Sequence, residues 1–114
     1  MMHGLTIRWS LADAPQGVEE ALFAHIEAES YPRYSGRPGL RFKTWRIRPG
    51  EWFEGFYVFE TPADLDRFQA DFAAKAADAP SSRIIGSAPV LIEPCVIMAV
   101  AEGAAGFVSA ASFG

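Results

Sequence analysis

The chain has 114 residues, the size of one domain with one real core. Half of the residues are hydrophobic and 21% are charged, which excludes a disordered chain. The net charge of −4 removes the basic footprint of a nucleic-acid binder. Cys95 is the single cysteine, so neither an intrachain disulfide nor a cysteine-based zinc site can form. MMHGLTIRWS lacks the basic and apolar regions of a secretion signal. The longest apolar run, 95–101, is far short of the ~20 residues that span a bilayer. The expectation is a cytoplasmic protein with no membrane and no nucleic-acid partner.

Leu5, Ile7 and Trp9 alternate with Thr6, Arg8 and Ser10, which predicts a first strand. Breakers follow over 12–17. Val18, Ala21, Leu22, His25, Ile26 and Glu29 then share one helical face, which predicts a helix over about 16–30. The segment 31–39, YPRYSGRPG, holds two prolines and two glycines and reads as a loop that ends this helix.

In LRFKTWRIR, Leu40, Phe42, Thr44 and Arg46 alternate with Arg41, Lys43, Trp45 and Ile47. Pro49-Gly50 is a turn dipeptide, and 52–60 alternates again, so the two runs form a hairpin. Thr61, Pro62 and Asp64 carry the marks of a helix start. Leu65, Phe68, Phe72 and Ala76 step along one face until Pro80. The stretch 81–89 reads as a connector with a short turn at 83–85. A last strand over 90–101 is apolar on both faces, and Pro94 marks a bulge or an edge.

The order is β-α-β-β-α-β. It predicts an α+β domain over 1–101, with a four-stranded antiparallel sheet and both helices on one face. Residues 102–114 read as a flexible tail, loose unless a partner covers Phe107 and Phe113. The middle strands are apolar on both sides, where a sheet with one wet face would alternate cleanly. A second copy stacked on the free face, giving a homodimer, is the expected cover; a monomer with scattered surface apolars is the plainer alternative.

The run PGLRFKTWRIRPGEWFEGFYVFETPADLDRF resembles the YdhR-like mono-oxygenase family of the dimeric α+β barrel superfamily. The matching features are Pro38-Gly39-Leu40, Lys43-Thr44-Trp45, Gly55 followed by Tyr57 and Phe59, and the helix soon after. The resemblance implies a ferredoxin-like protomer whose sheet stacks on that of its mate. It also implies a cavity between each sheet and its own helices. In the wider superfamily such cavities oxidise aromatic substrates without a cofactor, degrade haem, or bind a ligand. The asparagine used in some relatives is absent, because the chain contains none.

The candidate catalytic residues are His25, Tyr57 and Arg46. His25 lies on the apolar helix face, and its ordinary pKa near 6.5 suits a general base; a half-buried histidine beside the sheet is the bland reading. Tyr57 is a second group that can move a proton. Arg46 is read either as an anchor for a substrate anion or as one half of a cross-strand pair. Trp9, Phe42, Trp45, Tyr31, Tyr34 and Phe72 are the candidate ligand walls, with core packing as the alternative. Tyr57 and Phe42 are expected to face the helices. Trp45, beside Lys43, is expected to look toward the partner subunit.

No metal site is expected, since His3 and His25 are the only histidines and lack ligand spacing. No cofactor is expected either, because no phosphate-cradling or nucleophile-elbow motif occurs. The leading expectation is a homodimer that binds a small apolar or aromatic ligand, with cofactor-independent mono-oxygenation as its chemistry. The rivals are a non-catalytic binding module and, further off, haem ligation by His25.

Overall fold

The computed structural model describes residues 2–106. Its sheet has the strand order β2-β3-β1-β4, formed by β1 (Met2–Ser10), β2 (Leu40–Arg48), β3 (Trp52–Phe59) and β4 (Leu91–Ile97). All three pairings are antiparallel. This is the α+β, ferredoxin-like arrangement expected from the element order.

The alternation in β1 sorts its side chains as predicted. Leu5, Ile7 and Trp9 are buried against the helices, while Thr6, Arg8 and Ser10 are only half-buried on the outer face. From β3, Phe53, Tyr57 and Phe59 join the same core. Leu22, Ile26, Leu65 and Ile85 close it from the helical side, so the helices pack on one face of the sheet. Trp52, Glu54, Phe56 and Val58 point the other way, by the two-residue period of a strand.

Helix α1 (Val18–His25) starts two residues later than expected, after Gly17 in the left-handed region at φ 84°. It does not stop at Pro32. A π turn over Ile26–Ser30 leads into the short helix α2 (Tyr31–Tyr34). Proline in an α-helix clashes with the carbonyl four residues back. Here the Tyr31 amide reaches back five residues to the Ile26 carbonyl, and the wider turn relieves that clash. The segment expected to be loop from Tyr31 onward is therefore helical as far as Tyr34.

The β2–β3 hairpin closes through Pro49, Gly50 and Glu51, with Gly50 at φ 76°. At the other end of β2 the register shifts between Leu40 and Phe42. Leu40 pairs with Phe59, but Phe42 pairs with Val58. This bulge moves Phe42 to the outer face, so the expectation that it faces the helices is corrected. A bulge adds one residue and reverses the alternation beyond it. Lys43 and Trp45, opposite Tyr57 and Gly55, consequently face the helices rather than a partner.

Thr61 caps α3 (Pro62–Ala74), accepting from the Asp64 amide at 3.2 Å. The connector expected after Pro80 is instead a helix, α4 (Pro80–Ile85), ended by Gly86 at φ 88°. The last strand is shorter than predicted and lies at a sheet edge, where Pro94 needs no ladder donor on its open side. Phe107 and Phe113 lie outside the described residues. No helix among the described residues is long and apolar enough to cross a membrane.

Candidate functional site

A cleft of about 50 Å³ opens between the sheet and its helices. At roughly 10–15 Å³ per water, it has room for a few waters; the ~150 Å³ of a cavity that takes up benzene is about three times larger, so a ring would also extend into the open mouth. Its floor is made by Trp9, Phe53, Gly55, Tyr57, Lys43 and Trp45. His25, Ser30, Arg33 and Tyr34 form one side of the roof, Phe72 and residues 79–81 the other.

Strand alternation places the floor. Lys43 and Trp45 stand on the same face of β2, and Tyr57 stands directly across from Lys43. Gly55 makes the space between them. A Cβ there would lie 3.2 Å from Lys43 Cε and 3.2 Å from Tyr57 Cε1. Without it, both side chains lie close over the β3 backbone.

The Lys43 ammonium sits among rings. Its Nζ is 3.8 Å from the Tyr34 centroid, 4.3 Å from Tyr57 and 4.5 Å from Trp45. Among the described residues no carboxylate pairs with it. Burial, then the positive charges of Arg37 and Arg33, hold its pKa well below the usual lysine value. Tyr57 moves the opposite way. Burial, then the Tyr34 side chain acting by charge and by hydrogen bond, raise its pKa well above the usual phenol value, against a smaller opposing pull from Arg37. Its hydroxyl stays protonated across the physiological range.

His25 lines the roof with its side chain 15% exposed, and its Nδ1 is 3.2 Å from Glu29 Oε2 one turn on. That contact orients the ring and leaves Nε2 as its second nitrogen. Trp9 is a fixed wall. Its indole N–H donates to Ser82 Oγ at 2.9 Å, so the polar tip is already used.

The structure thus brings His25, Tyr57, Trp9, Trp45, Tyr34 and Phe72 to one cleft. Tyr31 stands behind, packed on Trp45 with centroids 6.3 Å apart. Phe42 and Arg46 are on the other face. Arg46 pairs with Glu54, which also accepts from Arg8 Nε at 2.8 Å. The cross-strand pair, rather than the anion anchor, describes Arg46. Lys43 and Arg33 line the cleft but were not among the sequence candidates. Lys43 was findable, since it shares a strand face with Trp45; the π turn that delivers Arg33 left no sequence signal. No group of three or more His, Cys, Asp or Glu side chains capable of holding a metal ion occurs among the described residues.

No family model and no curated protein matches the chain. Solved structures do. A protein of unknown function from Nitrosomonas europaea, NE2512, superposes with a TM-score of 0.65 at 23% identity, covering 90% of this chain and 95% of that one. A candidate antibiotic biosynthesis monooxygenase from Chloroflexus aurantiacus J-10-fl gives 0.53 at 19%, over 89% of this chain and 97% of that one. Rv0793 from Mycobacterium tuberculosis gives 0.50 at 14%, over 91% and 100%. At these identities the likeness establishes the fold, a ferredoxin-like α+β chain shared with an antibiotic biosynthesis monooxygenase-like protein.

Proposed function

We propose that the cleft binds a small aromatic molecule and, in a cytoplasmic homodimer, oxygenates it without a cofactor. The observation that carries this reading is the ring-walled cleft in which His25, Tyr57 and Lys43 converge. The Lys43-Thr44-Trp45 and Gly55-Phe56-Tyr57 strands supply much of its floor, and they are the segments that resemble the YdhR-like branch.

In this reading the walls hold an electron-rich ring and exclude water. His25 takes a proton from the bound substrate, and Tyr57 donates a hydrogen bond to the oxyanion that develops. The substrate anion reduces O₂. One oxygen atom enters the substrate and the other leaves as water, so all four electrons come from the substrate. A haem does not fit a cleft of about 50 Å³. The dimer uses the outer sheet face, where the half-buried Phe42, Phe56 and Ile97 give an apolar patch.

The test is titration with catechol, read by tryptophan fluorescence and by an oxygen electrode. Saturable quenching with oxygen uptake that falls at least tenfold in His25→Ala and Tyr57→Phe is the expected result. Saturable quenching without oxygen uptake would assign a non-catalytic binding module, and no quenching would remove the site. Sedimentation at micromolar concentration reads the dimer, and a lone 12.4 kDa particle would refute it.

A further inference from the structure

Lysine amines make nucleophiles when a protein desolvates them beside other cations. Lys43 meets both conditions, with three aromatic rings within 4.5 Å of Nζ and Arg33 and Arg37 as its charged neighbours. It is mounted on a central run of β2, and Gly55 clears the space in which its side chain lies. A salt bridge would hold the amine protonated, and no described carboxylate supplies one. The lowered pKa of Lys43 agrees with this geometry.

We propose that Lys43 condenses with the carbonyl carbon of a small aromatic aldehyde or ketone bound in the cleft, forming a Schiff base. The proposal rests on the reading of the cleft as an aromatic-ligand site and names the ligand class. The neutral amine adds its lone pair to the carbonyl carbon, giving a carbinolamine. Both N–H bonds of the amine break, their two protons pass to the carbonyl oxygen, and that oxygen leaves as water. One C=N bond replaces one C=O bond, and nothing is oxidised or reduced. Tyr57, kept protonated by burial and lining the same cleft, passes a proton to the departing oxygen and recovers one from the nitrogen. Arg33 offers a charge for a carboxylate on the same ligand.

The chain carries its own control, since Lys43 and Lys75 are its only lysines and Lys75 is exposed. The intact protein is incubated with benzaldehyde and cyanoborohydride at neutral pH, digested, and mapped by mass spectrometry. Benzyl adduct on Lys43 should clearly exceed that on Lys75, since more of the Lys43 amine is neutral at the same pH. Equal labelling, or labelling mainly at Lys75, overturns the proposal. Lys43→Arg should lose the cleft adduct and leave the adduct on exposed Lys75 as it was. Quenching by benzaldehyde with no adduct on Lys43 sinks the Schiff base and leaves the cleft reading standing; no quenching sinks both.

Discussion

The indole N–H of Trp9 donates a 2.9 Å hydrogen bond to the hydroxyl oxygen of Ser82. Ser82 in turn donates to the Ala76 carbonyl at 2.6 Å. Two bonds thus tie the centre of the sheet to α4 and to the turn before it. The roof residues 79–81 are held over the cleft by this chain, and the cleft's volume depends on it.

Ser82→Ala should therefore cost about 1–2 kcal/mol, because it leaves the buried indole donor unpaired, while the Ala76 carbonyl keeps the Ala79 amide at 3.3 Å. Urea unfolding at neutral pH measures this. In the Trp9→Phe background the same substitution should cost clearly less, since that donor is already gone. Equal costs in the two backgrounds would show that the bond does not couple the elements.

Lys43→Met should make the protein more stable by about 1 kcal/mol at neutral pH, since it removes a desolvated amine that no carboxylate compensates. The sign follows from proton linkage. Between the lowered folded pKa and the usual 10.5, the unfolded chain holds a proton that the folded chain lacks, so stability of the parent rises with pH. The Met variant lacks that rise. Its advantage should be greatest below the lowered pKa and should vanish toward 10.5. Tyr57, whose pKa is raised, makes stability fall as pH climbs past the ordinary phenol value, equally in both proteins, so it cancels in the difference. Urea titrations in mildly acidic and in alkaline buffer decide it, and an advantage that grows with pH would refute the argument.

Much of this was legible in the residues. The period of two in β1 and β3, and the Thr61 cap of α3, needed only local physics. What was lost turned on single residues. One bulge near Arg41 reversed the faces of β2, taking Phe42 out of the cleft and putting Lys43 and Trp45 into it. Pro32 reads as a helix stop, yet a π turn carries the chain past it. Ser82 and Ile85 looked like connector residues because six residues of helix give too little periodicity to detect.

Arg46→Ala should leave ligand binding in the cleft unchanged, since Arg46 sits on the outer face, 54% exposed, and touches Glu54. Its stability cost should be small, under about 1 kcal/mol, as for exposed pairs. Glu54→Gln should cost more, about 1–3 kcal/mol, because Glu54 is 1% exposed and neutralises Arg8 as well. Fluorescence titration alongside urea unfolding reads both. Loss of quenching in Arg46→Ala would return Arg46 to the cleft.

Gly39→Ala should destabilise the protein more than Gly36→Ala, although both glycines have positive φ, 82° and 73°. At Gly36 the added methyl meets open space, so only backbone strain of about 1–2 kcal/mol applies. At Gly39 the Cβ would lie 2.9 Å from Asp64 Cγ. Asp64 cannot simply swing aside, because Thr61 donates to it at 2.7 Å and Arg67 at 2.8 Å. Gly39 also accepts from the Glu60 amide at 2.8 Å, so the backbone there has little freedom to shift. Releasing the carboxylate with Thr61→Ala should shrink the excess cost of Gly39→Ala while adding the ordinary cost of a lost cap, about 1 kcal/mol. Acid should act on the same contact. The Thr61 hydroxyl, more than Arg67, holds the Asp64 pKa below its usual 3.8, so the stability this carboxylate supplies is present above that value and fades as pH falls through the lowered one. Thermal melts of the single and paired variants, taken at neutral pH and again in acid, give both readings. An excess cost of Gly39→Ala that persists undiminished in the Thr61→Ala background would place the clash somewhere other than on Asp64.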